Sequence, residues 1–155
     1  MKISTCLWFD TQAEAAAHFY VSLFTNARVS EISRYGPGQR MPEGLALVVN
    51  VEMEGARFML LNGGPIFPQS EAASICVRCD TQAEIDRLWV ALTADGGKES
   101  MCGWLKDRFG VSWQITPALL GPLMSGDSAR AARVMAAFMQ MRKFDIAALQ
   151  AAAHG

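Results

Sequence analysis

The chain has 155 residues, of which 51% are hydrophobic and 19% are charged, and its formal net charge is -1. The length suits one domain or two small halves that share a core, and the composition excludes disordered, collagen-like and low-complexity classes. The nearly neutral charge argues against general nucleic-acid binding. No apolar stretch approaches the roughly 18 residues of a membrane-spanning helix. We therefore expect a globular protein without a nucleic-acid or membrane partner.

The N-terminal residues and the cysteines indicate the compartment. The first apolar run ends at Asp10, which is too early for the apolar core of a signal peptide. The four cysteines (Cys6, Cys76, Cys79 and Cys102) are too few for a small secreted disulfide scaffold. We expect a cytoplasmic protein with reduced thiols.

An internal repeat organises the chain. Asp10–Glu14 (Asp-Thr-Gln-Ala-Glu) recurs letter for letter at Asp80–Glu84, and both copies follow a short apolar run. Further along, Gly55–Leu60 aligns with Gly110–Ile115. Each copy also contains Thr-x-x-Glu, the pattern of a helix capping box. The sequence thus predicts two similar units that each begin with a strand and a Thr-capped helix.

The remaining elements follow from alternation of apolar and polar residues and from turn residues. In the first half the predicted strands are Ala27–Tyr35, Leu45–Met53 and Arg57–Leu61. In the second half Gly96–Gly97 ends the helix, and strands are predicted at Lys98–Leu105 and Val111–Thr116 around a hairpin turn at Asp107–Gly110. Each half therefore has the order βαβββ, with a very short middle strand in the second. Helices are predicted at Ala129–Met141 and, capped by Asp145, at Ile146–Ala153.

These elements divide the chain into four segments. They are a first βαβββ module at 1–62, a linker at 63–73, a second βαβββ module at 74–117 and a helical extension at 118–155. The Gly- and Pro-rich start of the linker is not a nucleotide-binding loop, because no helix follows it and the GxGxxG spacing is missing.

Four stretches resemble one protein family. They are Cys6–Asp10, Phe19–Asn26, Asn62–Pro65 and, most specifically, Cys102–Ile115. With the paired βαβββ modules, they resemble the PhnB-like branch of the vicinal oxygen chelate superfamily, which includes glyoxalases, bleomycin-resistance proteins and extradiol dioxygenases. Members of this branch are often labelled 3-demethylubiquinone 3-methyltransferase. The resemblance implies an α+β fold whose curved mixed sheets surround a cavity, and a homodimer, but leaves the reaction open.

The resemblance also implies where a divalent metal would bind. Superfamily enzymes use four side chains from the first and last strands of the modules, which fall here near Ser4, Met59, Ser74 and Gln114. Two hydroxyls, a thioether and an amide are a poor donor set for such a cation, and the two histidines (His18 and His154) lie elsewhere. We expect no metal and no other cofactor. The rival hypothesis is a metal-dependent lyase, isomerase or dioxygenase with other ligands, drawn from Glu52, Glu54, Glu71 and Glu99.

The cysteines offer little support for a metal or a nucleophile. Cys76 and Cys79 have the C-x-x-C spacing, but alternation in a strand places them on opposite faces. Cys6 and Cys76 could line the cavity, although buried packing is the favoured interpretation. Cys102 is the one candidate nucleophile, and no histidine is placed to activate it.

A ligand-binding surface follows from the same alternation. The predicted substrate-binding residues are Ser4, Cys6, Trp8, Arg57, Met59, Ser74, Cys76, Arg78, Trp104 and Gln114. Aromatic surface with a few polar groups is typical of small-molecule pockets, and an arginine can pair with a carboxylate or phosphonate.

The leading hypothesis is therefore a protein that binds a small anionic or aromatic molecule, either to sequester it or for metal-free chemistry. Methyl transfer is disfavoured, because the first strand runs into Asp10–Gln12 without the glycine-rich turn that holds S-adenosylmethionine in typical methyltransferases. A third hypothesis makes the repeat only a dimerisation scaffold.

Overall fold

The computed structural model describes residues 3–155. The chain divides into two compact units, one ending at Gln69 and the other spanning Ser70–Gly155. We call them the first and the second module.

The first module is a four-stranded sheet with one helix on a single face. Its elements are β1 (Thr5–Phe9), α1 (Ala13–Leu23), β2 (Ala27–Arg34), β3 (Ala46–Met53) and β4 (Ala56–Asn62). The strand order is β1-β4-β3-β2, in which β1 runs parallel to β4 and the other pairs are antiparallel. The small residues Ala13, Ala16 and Ala17 are fully buried and bring α1 close to the sheet.

The second module repeats this topology and adds three helices. Its elements are β5 (Ile75–Cys79), α2 (Gln82–Thr93), β6 (Lys98–Glu99), β7 (Trp104–Lys106), β8 (Ser112–Pro117), α3 (Leu120–Met124), α4 (Ser128–Phe138) and α5 (Ile146–His154). The order β5-β8-β7-β6, with β5 parallel to β8, matches that of the first sheet. The predicted α+β class with two similar modules and C-terminal helices is confirmed.

The capping prediction is right in one module and wrong in the other. Thr81 and Glu84 form the predicted capping box at α2. At α1 the N-cap is Gln12, which makes no side-chain cap bond. Instead the Ala13 N–H donates to the side chain of Asn62 at 2.8 Å. Glu14 does not take part in a capping box at α1. Its carboxylate instead accepts two hydrogen bonds from Arg34.

The predicted strand Lys98–Leu105 is divided in two. The backbone turns at Cys102 and Gly103, whose φ values are +57° and +79°. Their N–H groups donate to the carbonyls of Met141 and Arg142, both at 2.7 Å, so this part of the chain leaves the sheet. Glycine adopts such positive φ angles without a steric penalty.

The other turn and helix predictions agree better with the structure. The Asp107–Gly110 turn is present, with Gly110 at φ +84° and Asp107 accepting the Val111 N–H at 3.0 Å. Asp145 caps the last helix through the Ala148 N–H. The preceding helix ends at Phe138, earlier than predicted, and α3 was not predicted. No helix in residues 3–155 is long and apolar enough to cross a membrane.

Candidate functional site

In each module, the helix covers one face of the sheet, and we call the opposite face the open face. In β1, Leu7 and Phe9 are 8% and 3% exposed on the helix-covered side, whereas Cys6 between them is exposed. In β8, Trp113 and Ile115 are fully buried and Gln114 is not. Because neighbouring residues of a strand point to opposite faces, the register defines which side chains share each open face.

The open face of the first module contains most of its predicted binding residues. Strand pairing places three rows across this face: Cys6–Met59–Asn50, Trp8–Leu61–Val48 and Arg57–Glu52–Arg28. Ser4 is exposed and precedes β1 by one residue. The sequence predictions missed Asn50 and Arg28, since both depend on the pairing of β3 with its neighbours.

Trp8 has a structural role on this face. Its indole Nε1 donates to the Gly64 carbonyl at 2.7 Å, and its ring meets that of Phe67 edge-on, with 5.0 Å between centroids. A Cβ on Gly63 would lie 2.1 Å from the Trp8 ring. Trp8 therefore fixes the segment after β4, and its N–H is already used.

The arginines of the first module surround one carboxylate. Glu52 pairs with Arg28 at 2.5 Å and with Arg57 at 3.3 Å. These three residues form part of a groove of about 410 Å³ at the end of the sheet. The sequence predicted Arg57 for the site but gave no signal for Arg28, since β2 is irregularly paired to β3.

The open face of the second module brings five predicted residues together. The register places Trp104, Gln114 and Cys76 in one row and Arg78 beside Thr116 in the next. The Gln114 amide donates to the Ser74 hydroxyl at 2.9 Å. Cys76 and Arg78 are exposed, and Trp104 is half-buried.

Among the four tryptophans, Trp104 differs in its hydrogen bonding. The indole N–H groups of Trp8, Trp89 and Trp113 donate to Gly64, Glu99 and Asp107 respectively. Within residues 3–155 the Trp104 indole makes no such bond. Its N–H is therefore available to an acceptor other than those in residues 3–155.

Ser112 has a buried polar atom without a hydrogen-bond partner among the described residues. It lies in the row of Lys106 and Lys98, is 2% exposed, and its hydroxyl has no hydrogen-bond partner among the described residues. Lys106 is paired with Glu71 at 2.6 Å, and this bond holds the pKa of the Glu71 carboxyl below its usual value. A buried hydroxyl without a partner is uncommon, because its desolvation is uncompensated.

The cysteines occupy distinct environments. Cys6 and Cys76 are exposed on the open faces, so the favoured interpretation as buried packing was wrong. Cys79 faces the other way and is 3% exposed, and burial raises the pKa of its thiol to about 11. Cys102 lies in the turn before β7, where its Sγ is 3.7 Å from Met139 Sδ. A thioether cannot accept the thiol proton as a general base, so this contact does not activate Cys102.

The donor set does not fit the divalent metal that the superfamily resemblance implies. Gln114 and Ser74 are hydrogen-bonded to each other, and Met59 contributes only a thioether. Residues 3–155 contain no group of three or more His, Cys, Asp or Glu side chains that could hold a metal ion.

The rival glutamate ligands are already engaged. Glu52 pairs with two arginines and Glu71 with Lys106. Glu54 accepts bonds from Asn26, which lower the pKa of its carboxyl. Glu99 accepts the indole N–H of Trp89.

Comparison with known proteins identifies the family. The family model described as 3-demethylubiquinone-9 3-methyltransferase matches residues 1–116. The chain belongs to this family. A solved structure described as a putative 3-demethylubiquinone-9 3-methyltransferase, PhnB protein, from Bacillus cereus is 35% identical, covering 76% of this chain and 100% of that one with a TM-score of 0.70. The resemblance to the PhnB-like branch is confirmed.

More distant structures share the fold. Protein PA1353 from Pseudomonas aeruginosa is 22% identical over 76% of this chain and 97% of that chain, with a TM-score of 0.61. The fosfomycin resistance protein FosX from Listeria monocytogenes is 12% identical over 84% of this chain and 97% of that chain, with a TM-score of 0.54. FosX and PhnB belong to the vicinal oxygen chelate superfamily. No curated protein matches this chain.

The family's description names a methyltransferase, and this chain does not offer the usual site for the methyl donor. Residues 10–12 join β1 to α1 without a glycine. The first helical N–H, which could otherwise meet a ligand, donates to Asn62. The residues at this turn therefore do not fit S-adenosylmethionine bound in the usual way.

Proposed function

We propose that this PhnB-like protein binds a small organic molecule, with an aromatic or anionic group, on the open face of its second module. Binding uses Ser74, Cys76, Arg78, Trp104 and Gln114, without a divalent metal. The corresponding residues of the first module (Ser4, Cys6, Trp8, Arg57 and Met59) are assigned to ligand contact as well. The protein acts by sequestering the molecule or by metal-free chemistry.

The observation that supports this proposal most strongly is the state of Trp104. It presents a half-buried aromatic ring on the open face, and its indole N–H has no acceptor in the described chain. Three of the four indoles find an acceptor within the chain, as buried indoles usually do. A ligand that stacks on the ring and accepts this hydrogen bond completes the site.

The neighbours of Trp104 add polar recognition. The Gln114 NH₂ group donates to Ser74, and the Gln114 carbonyl oxygen, which accepts no side-chain hydrogen bond from residues 3–155, can accept one from a ligand. Arg78 is exposed on the same face and makes no ion pair within residues 3–155, so its guanidinium can bind a carboxylate in bidentate fashion. The Ser112 hydroxyl, which has no partner among the described residues, lies on the same face of β8 as Gln114, two residues earlier in the strand.

A titration of the four indole signals tests the proposal. Benzoate, which combines an aromatic ring with a carboxylate, is added to ¹⁵N-labelled protein. We expect a saturable shift of the Trp104 indole signal, with the Trp89 and Trp113 signals unchanged. Arg78→Gln should weaken binding, whereas Arg142→Gln should not, because Arg142 is an exposed arginine paired with Glu99.

Two results would contradict this proposal. One is an unchanged Trp104 signal with benzoate and with a panel of other aromatic acids. The other is a shift that is equal in all four indoles, which would indicate a nonspecific effect. Signal assignment by Trp104→Phe makes the readout unambiguous.

A separate comparison addresses methyl transfer. S-adenosylmethionine should leave the melting temperature unchanged, since the turn at residues 10–12 does not fit it. A concentration-dependent rise would instead support the activity that the family description names.

Assembly, compartment and segment boundaries complete the proposal. We propose a homodimer, which sedimentation can test, and a cytoplasmic location. All four cysteines are free in the structure, as expected in a reducing compartment. We retain 1–62, 63–73, 74–117 and 118–155 as the segments, which limited proteolysis can test.

A further inference from the structure

The first module contains a groove that the sequence did not predict. It has a volume of about 410 Å³ and is lined by Thr25, Asn26, Ala27, Arg28, Glu52, Gly55 and Arg57. Such a volume is within the range of small-molecule sites. One wall is the chain that leads into β2, and the other is the hairpin between β3 and β4.

Hydrogen bonds hold the two walls together. The backbone N–H and the amide of Asn26 each donate to the Glu54 carboxylate at 3.1 Å. The Glu54 N–H donates in return to the Asn26 carbonyl at 2.9 Å. Glu54 and Gly55 form a two-residue turn with positive φ angles of 45° and 83°, which suits a tight hairpin. The groove is therefore a fixed feature of the module.

Arginines outnumber carboxylates among the residues that line the groove. Arg28 and Arg57 both pair with Glu52, one with each carboxylate oxygen. Among the residues that line the groove, two arginines meet one glutamate; the Glu54 carboxylate lies outside this lining and accepts two hydrogen bonds from Asn26. Each guanidinium has five N–H donors, and the ion pairs with Glu52 run through Arg28 Nη2 and Arg57 Nε. Both side chains are exposed, so the spare donors can reach a ligand.

We propose that this groove is an oxyanion site, in which Arg28 and Arg57 together bind the carboxylate or phosphate group of a small molecule. Glu52 acts as a positioning residue that keeps the two guanidiniums converged. Pairs of guanidiniums suit such groups because their planar N–H forks match the anion's oxygen atoms. The inference extends the proposed ligand contact of Arg57, and it is tested separately from the second module because Trp104 reports only on that module.

The test measures binding of inorganic phosphate and of acetate to the full chain by NMR titration at low ionic strength. We expect saturable shifts of the Arg28 and Arg57 side-chain Nε signals. Arg28→Gln and Arg57→Gln should each weaken binding about tenfold, the effect of losing one charge-assisted bond. Arg57→Lys should weaken it less, because the charge is kept. Arg142→Gln, an exposed arginine paired with one glutamate, should have no effect.

The outcomes separate the alternatives. Phosphate binding without acetate binding assigns a phosphate or phosphonate group, and binding of both assigns oxyanions in general. Absence of saturation with either anion would overturn the proposal. It would also be overturned if all the arginine variants, including Arg142→Gln, weakened binding equally. Melting curves of each variant ensure that the folded protein is compared.

Discussion

Asn62 at the end of β4 caps α1 by accepting the Ala13 N–H at 2.8 Å, across 49 residues of sequence. The same side chain donates to the Ala46 carbonyl at 2.9 Å, and Asn62 is fully buried. One amide thus joins the helix, the first residue of β3 and the last residue of β4. In the second module the equivalent helix, α2, is capped locally by the Thr81–Glu84 capping box.

The two caps should differ in their effect on stability. Asn62→Ala leaves a buried N–H and a buried carbonyl without partners, each costing about 1–3 kcal/mol, so we expect the free energy of unfolding to fall by about 2–6 kcal/mol. Thr81→Ala removes an exposed cap and should cost about 1 kcal/mol. Urea denaturation of both variants measures the difference. Equal losses would show that the Asn62 bonds are not what stabilises the first module.

Gly103 should tolerate no side chain. Its φ is +79°, and a Cβ would lie 2.4 Å from the Phe144 ring and 2.8 Å from the Ile115 carbonyl. We expect Gly103→Ala to lower the free energy of unfolding by about 2 kcal/mol or more, from strain and overpacking together. Gly121→Ala is the matched control, because nothing lies within 4 Å of its Cβ position. A melting temperature equal to that of the control would contradict this account.

The contribution of Glu14 should depend on pH. The hydrogen bond from Arg34 holds the pKa of the Glu14 carboxyl below its usual value. A lowered pKa in the folded state stabilises the protein above the unfolded pKa, near 4.3, and this stability is lost as the pH falls through the folded pKa.

Glu14→Gln tests this dependence. The variant should melt below the wild type at pH 7, and the difference should shrink as the pH falls below about 4. Melting curves of Glu43→Gln, an exposed loop residue, control for the loss of a charge. A difference that grows in acid would contradict the sign of the pKa change.

Cys79 should be the slowest cysteine to react. Burial raises the pKa of its thiol to about 11. Burial also raises the pKa of the Cys6 thiol, but the Cys6 and Cys76 side chains are exposed. Because the thiolate is the reactive form, iodoacetamide at pH 8 should modify Cys6 and Cys76 before Cys79, as followed by peptide mass spectrometry. In urea all four should react. If Cys79 reacted as fast as Cys76 in the folded protein, this face of β5 would not be covered by the rest of its module.

Local signals in the sequence explain why the modules could be predicted. The repeated Asp-Thr-Gln-Ala-Glu marked both helix starts, and the alternation in β3 and β8 placed the strands within about one residue of their observed bounds. The alternation also predicted that Cys76 and Arg78 lie on one face of β5 and Cys79 on the opposite face, as observed. These features depend on residues close together in the chain.

The errors arose where distant residues decide the structure. The predicted Thr11 cap is absent, and Asn62 accepts the N–H of Ala13 from 49 positions away. The carbonyls of Met141 and Arg142 draw residues 102–103 out of the predicted strand. Arg28 lies opposite Glu52 only because β2 pairs with β3, and a long loop separates these two strands in the sequence. Trp8 was predicted to bind ligand, and the partners that occupy its indole, Gly64 and Phe67, were not foreseeable from β1 alone.

The measurement that tests the central claim most directly is elemental analysis of untagged protein, followed by melting curves with EDTA and with added Ni, Co, Fe, Mn or Zn. A ligand that binds only the native state stabilises it by roughly 2.7 kcal/mol when the free ligand concentration is 100 times the Kd. The account predicts no stoichiometric metal and no shift with any ion, because Ser4, Met59, Ser74 and Gln114 are a poor donor set. Stoichiometric metal, or a clear rise in melting temperature with one ion, would contradict it and favour a metal-dependent lyase, isomerase or dioxygenase.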